Sequence, residues 1–159
     1  MKINGTTKII LSIILCFVVA GIGGYATQSS VGTWYTELNK PSFNPPNWIF
    51  GPVWTLLYIM MGLAAGLVWK AGLDNALVKK ALLIYLLQLG LNLSWSIVFF
   101  GNQEIFGALM IILGLVFLII MTIIHFLKIN RIAAYLLFPY LFWVIFASFL
   151  NYEIWQLNS

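Results

Sequence analysis

Three stretches of this chain set aromatic and amide side chains at helical spacing inside otherwise apolar segments. Gln88, Asn92, Trp95, Ser96 and Phe99 follow one another at intervals of four, three, one and three, which lays them along one stripe of a helix. Trp54, Tyr58, Gly62 and Gly66 recur every four residues, as do Pro139, Trp143, Ala147 and Asn151. Indole and phenol rings combine a large apolar face with a polar edge, and serve either as packing or as ligand contacts. An amide held in hydrocarbon must find a partner or line a cavity. Ordinary catalytic groups are missing from these segments: no Asp, Glu, Lys or Arg falls inside any of them, and no nucleophile–base pair or phosphate-binding loop appears. Cys16 and His125 lie far from the stripes, and no metal site is expected. Chemistry in a pocket here would rest on aromatic side chains or on the ligand itself.

Such stripes also serve as packing, and Gln88 and Asn92 are equally able to glue helices together. Tryptophans near the ends of apolar segments (Trp48, Trp69 and Trp155) suit the interfacial belt of a membrane protein. Trp54, Trp95 and Trp143 lie deeper. At about 1.5 Å per residue, Trp54 is roughly 9 Å inward of Trp48, Trp143 about 10 Å inward of Leu150, and Asn92 about 12 Å inward of Phe100. Stripes that converge at one depth predict a pocket.

The elements that must position these residues are membrane-spanning helices. The chain has 159 residues, 62% hydrophobic and 8% charged, against about a quarter charged in soluble domains. Runs of the length a helix needs to cross a bilayer occur at 9–27, 48–69, 81–100, 105–127 and 132–150. The expected fold is a single all-α domain, a bundle of five transmembrane helices. The runs are continuous rather than alternating, which argues against a barrel. Met1 to about Ser30 has the basic start and apolar run of a secretory signal, but the run is long for one, so the first span is expected to be retained.

Charge divides the connections into two sets. The N-terminal segment and the connections at 70–80 and 128–131 hold Lys2, Lys8, Lys70, Lys79, Lys80, Lys128 and Arg131. The opposite side has Lys40 with Glu37, Glu104 and Glu153. The positive-inside rule then places the N-terminus in the cytoplasm and the C-terminus outside, in the cell membrane. No basic cluster suited to nucleic acid is present, and the lone Cys16 excludes an internal disulfide.

The segment 28–47 is the one long connection and is expected to be a structured lid, with a short helix starting at Thr33. Four of the five prolines fall between Lys40 and Trp54. Pro41, Pro45 and Pro46 stiffen the approach to the second span, while Pro52 sits early in that span, where a missing N–H costs least. Gly21, Gly23 and Gly24 leave room for a neighbouring helix or a ligand. Gly62 with Gly66, and Gly90 with Ser94, have the small-residue spacing of helix or dimer contacts.

WYTELNKPSFNPPNWIFGPVWTLLY (Trp34 to Tyr58), LNLSWSIVFFG (Leu91 to Gly101) and PYLFWVIFASFLNYEIWQLN (Pro139 to Asn158) closely resemble the TspO/MBR family. Its bacterial members are called tryptophan-rich sensory proteins, and its mitochondrial relative is the translocator protein or peripheral-type benzodiazepine receptor. The resemblance implies a five-helix bundle, commonly a homodimer in membrane lipid, whose pocket is capped by the loop between the first two helices. It implies binding of porphyrins and haem, and in some members sterols and benzodiazepine-site drugs. Light-dependent oxidative breakdown of protoporphyrin, with light and oxygen, is implied for some bacterial members; carriage or sensing of such ligands is the alternative. No permanently bound cofactor is implied. The motifs carry over Tyr35, Pro45, Trp54, Tyr58, Asn92, Trp95, Trp143, Ala147 and Asn151 as ligand contacts, beside Phe99 of the third stripe, with Trp54 and Trp143 as the redox pair. The family's sterol motif is incomplete, because no Lys or Arg follows Leu150 and Tyr152.

Overall fold

The computed structural model describes residues 3–159, so Lys2 of the basic set lies outside the described residues. The helices are α1 (Gly5–Val31), α2 (Trp34–Glu37), α3 (Asn47–Lys70), α4 (Ala76–Ser96, prolonged by one π-helical turn, Ile97–Gly101), α5 (Ile105–Leu127), α6 (Arg131–Tyr135) and α7 (Phe138–Asn158). Among the described residues there is no strand. Five helical stretches are long and apolar enough to cross a membrane: α1, α3, α4 with its π turn, α5, and α6 with α7. Helix starts at the basic end are capped by asparagines. Asn4 accepts from the Thr7 N–H at 2.8 Å, Asn75 from Leu77 at 2.9 Å and Asn130 from Ala133 at 3.0 Å.

Three boundaries differ from the sequence reading. Helix α1 runs to Val31, so the lid begins at Gly32, with Thr33 at the start of its short helix as expected. Helix α7 continues to Asn158, eight residues past the apolar run ending at 150. Its last two turns are amphipathic, with Ile154 buried and Tyr152 and Gln156 exposed. Hydropathy finds the lipid slab and misses a helix that leaves it. The fifth span also breaks at Leu136 and Leu137 before Pro139, which has no N–H to donate to the Tyr135 carbonyl.

Pro52 requires a correction of another kind. Helix α3 begins at Asn47, so Pro52 lies inside it, beyond the first turn whose N–H groups are unpaired in any case. The ring removes the bond that the Trp48 carbonyl would accept and crowds that carbonyl. The lid end of α3 therefore lacks one backbone hydrogen bond.

The bundle is joined most closely between α1 and α3. A Cβ built on Gly62 would stand 2.6 Å from Ile13 Cα, and one on Gly66 2.5 Å from Ile9 Cα. The glycine pair is thus an internal seam of the chain. Gly90 faces open space, with nothing within 4 Å of where its Cβ would be. Elsewhere α4 packs on α5 and α5 on α7, whereas α3 and α7 scarcely touch. The gap between those two helices is where the site lies.

Overpacking a close seam costs about 1–3 kcal/mol. Gly62→Ala and Gly66→Ala are each expected to destabilise the protein by that amount in detergent unfolding. Gly90→Ala is expected to be neutral or to gain up to about 1 kcal/mol from helix propensity.

Candidate functional site

The site begins with a local irregularity in α4. In a regular α-helix Phe99 would share a face with Trp95, and Phe100 would be turned away by about 100°. The Asn102 N–H instead reaches back to the Ile97 carbonyl at 2.8 Å, and the wider turn buries both phenylalanines. The Phe100 carbonyl accepts from Ser30 Oγ, tying this turn to the end of α1. Trp95 stacks on Phe99 with ring centroids 5.7 Å apart, and Trp34 of the lid meets Phe99 edge-on at 5.7 Å.

Around these rings is a cavity of about 580 Å³, bounded by α1, α3, α4 and α7 at the lid end of the bundle. Trp54 stands 5.7 Å from Tyr58 and 6.4 Å from Trp95, centroid to centroid, forming a continuous aromatic wall. Trp143 lines the cavity from α7 with Phe50 against it at 6.1 Å, and Ala147 leaves space one turn further on. On the α1 side Gly21, Gly23 and Gly24 line the cavity together with Phe17, Ala20 and Val31. Nothing lies within 4 Å of where a Cβ on Gly21 or Gly24 would stand, so both leave space open on this side. Gln28, Asn47 and Thr55 supply polar groups at the rim, and no charged side chain lines the cavity.

Hydrogen bonds lock the aromatic wall in place. The Trp95 indole donates to Asn151 Oδ1 at 3.0 Å, and Asn151 Nδ2 donates to the Ile105 carbonyl at 3.0 Å. Tyr58 donates its hydroxyl to Asn92 Oδ1, Asn92 Nδ2 donates to Tyr140 at 3.2 Å, and Tyr140 donates to Gln88 Oε1 at 2.7 Å. The indole N–H of Trp143 is buried without a partner.

The structure thus gathers Tyr35, Trp54, Tyr58, Trp95, Phe99, Trp143, Ala147 and Asn151 around one cavity. Asn92 and Pro45 stand outside the lining: Asn92 is committed to two tyrosines, and Pro45 belongs to the backbone leading into α3. Phe50 and Phe100 were not anticipated. Phe50 precedes Trp54 by four residues and would have joined the stripe had it been extended backwards. Phe100 carries no such signal, because the π turn breaks the period. His125 bonds the Met121 carbonyl within its own helix at 2.8 Å, and no group of metal-ligating side chains occurs among the described residues.

The lid is built around Tyr35, which is buried and donates to Asn44 Oδ1 at 2.8 Å. Lys40 Nζ donates to the carbonyls of Tyr35 at 2.6 Å and Leu38 at 2.9 Å, closing the C-terminal end of α2. Asn158, on the last turn of α7, accepts from the Asn39 N–H at 3.0 Å and donates to the Asn39 carbonyl at 2.9 Å. This two-bond clamp fastens the lid to the far end of the fifth span. Asn158→Ala is expected to raise hydrogen exchange across 36–44 and leave the spans unchanged; equal exchange in both proteins would show the clamp idle.

Burial pushes the Tyr35 phenol up to about 12 from its ordinary value. A raised phenol favours the neutral form in the fold. Its contribution is complete below about pH 10 and is lost as the pH rises through about 12. The difference in tyrosinate absorbance between the native protein and Tyr35→Phe is expected to titrate near pH 12; a midpoint near 10 would contradict the burial.

Residues 12–156 match the TspO/MBR family. The chain is 42% identical over 152 residues to the tryptophan-rich protein TspO of Archaeoglobus fulgidus, covering 96% of this chain and 97% of that protein. It is 44% identical over 148 residues to the tryptophan-rich protein TspO of Chlorobaculum tepidum, covering 93% and 94%. It is 39% identical over 128 residues to the translocator protein of Homo sapiens, covering 79% and 75%. With that extent of match and five spans of membrane-crossing length, the chain is a multi-pass membrane protein that belongs to the TspO/MBR family.

Proposed function

We propose that the protein binds tetrapyrroles such as protoporphyrin or haem in the aromatic cavity and promotes light-dependent oxidative degradation of the porphyrin. The observation that carries this reading is a cavity of about 580 Å³ walled by Trp54, Trp95 and Trp143 and free of charged side chains. A flat conjugated ring suits such a slot. The macrocycle would lie against the Trp54 and Trp95 faces, and its acidic substituents would point to Gln28, Asn47 and Thr55 at the rim. Molecular oxygen is the oxidant of the photoexcited ring, and the indoles of Trp54 and Trp143 are the redox-active side chains beside it. The pigment supplies the hard chemistry, while the chain positions it and shields it from water. The space left by the α1 glycines and the clamped lid support that division of labour.

A second reading is favoured by one observation. The lining holds no Asp, Glu, His, Cys, Lys or Arg, as expected of a carrier or sensor that leaves its ligand intact. The relatives from Homo sapiens and other mammals bear the name translocator protein. Protoporphyrin titrated into the protein under illumination separates the two. A protein-dependent product spectrum supports degradation, and bound but unaltered pigment supports carriage.

Trp143→Phe removes a buried N–H that has no partner, so this variant is expected to keep its stability. Trp54→Phe loses part of one ring stack and is expected to weaken dark binding by about 0.5–1.5 kcal/mol. Both are expected to slow light-driven bleaching several-fold. Unchanged bleaching in both variants would remove the redox assignment of these two indoles.

A further inference from the structure

At the end of the bundle opposite the ligand cavity, α1, α3 and α4 enclose a second, shallower groove of about 430 Å³. Leu11 and Leu15 of α1 and Leu83 and Leu86 of α4 form its sides, and Trp69 of α3 lies at its end. The four leucines are exposed, each more than 40% accessible, so the groove is open along its length to the surroundings of the helices. Its mouth is basic. Lys79 lines it directly. Lys8 reaches the Trp69 carbonyl at 3.3 Å and stands 6.0 Å from the centre of the Trp69 ring. Lys70 drapes its stem over Gly5, where an added Cβ would meet Lys70 Cε at 2.9 Å. Against Lys8, Lys70, Lys79 and Lys80, the stretch from Gly5 to Lys80 places a single acid, Asp74, at this end of the bundle.

We propose that this groove is a site for an anionic glycerophospholipid, with one acyl chain between α1 and α4 and its phosphate against Lys8 and Lys79. The physical case is the pairing of a lipid-facing apolar furrow with fixed cations at headgroup height. Any acyl chain wets leucines about equally, because lipid tails are as apolar as the side chains they touch. The headgroup therefore decides which lipid stays. Lysines at a helix end favour a net negative headgroup over a zwitterionic one. Trp69 suits the same level, its ring apolar toward the chain and its N–H able to face the ester region. The charge asymmetry of the connections puts this end on the cytoplasmic side, in the leaflet where basic residues are held. The site is separate from the aromatic cavity and independent of what that cavity binds.

The test is retention of lipid by the full chain in detergent, measured by native mass spectrometry. Palmitoyl-oleoyl phosphatidylglycerol and the matching phosphatidylcholine are offered in equal amounts. The native protein is expected to keep phosphatidylglycerol preferentially, and each of Lys8→Gln and Lys79→Gln to reduce that preference about fivefold. Leu83→Trp, which narrows the furrow, is expected to lower retention of both lipids. Lys128→Gln, a basic residue of the same side on another connection, is expected to change nothing. Glycerol phosphate, which has no chains, is expected to displace neither lipid. Equal retention of the two lipids, an unaltered preference in the Lys8→Gln/Lys79→Gln double variant, an equal loss in Lys128→Gln, or displacement by glycerol phosphate would each overturn the proposal. The lysine variants alter exposed or half-exposed side chains, so they decide the matter even where Leu83→Trp fails to fold.

Discussion

The contact on which the rest depends is the seating of the Ile9 and Ile13 backbone on Gly66 and Gly62. Lipid tails give apolar helices no hydrophobic reason to associate, so association in a bilayer relies on close fit. Two missing side chains let α1 settle directly onto α3. That contact also sets the register between the two helices over their whole shared length. Toward the lid Gly21 and Gly24 of α1 meet no neighbour within 4 Å, and the space their absent side chains leave becomes part of the cavity. Tight packing at one end and room at the other are one feature of the sequence, written in glycine spacing.

Buried polar bonds finish the geometry. Each interhelical bond in a membrane protein contributes only about 1 kcal/mol, so the chain Tyr58–Asn92–Tyr140–Gln88 and the bridge Trp95–Asn151–Ile105 matter more for orientation than for stability. They fix the rotamers of one phenol and one indole on the cavity wall and join α3, α4, α5 and α7 across their interior. Trp143 is different: it is held by Phe50 and Phe146 through ring contacts, with its N–H unspent. The two sides of the cavity are thus supported in different ways, one by directional bonds and the other by packing.

Much of this was legible in the residues. Apolar run length revealed the five spans, and four-residue recurrence revealed which faces of α3, α4 and α7 converge. What stayed hidden has identifiable causes. The π turn after Ser96 breaks the period that sequence reading relies on, so Phe100 was invisible as an inward residue. Asn92 could be seen as an amide needing a partner, but the tyrosines that satisfy it come from two other helices, and nothing local separates a helix partner from a ligand. The Gly62 and Gly66 pair had the spacing of a helix seam without any mark of which helix would fill it. Helix α7 outran its apolar run because an amphipathic extension has ordinary hydropathy.

That extension carries Asn158, and with it a separation between two properties of a binding site. The rings around the cavity govern how strongly a guest is held at equilibrium, whereas the Asn39 fastening at the aqueous tip of α7 governs how readily the roof lifts. Fraying of one terminal helical turn is enough to undo it. Two relatives with identical walls can therefore share one affinity and still trade their guests at very different speeds.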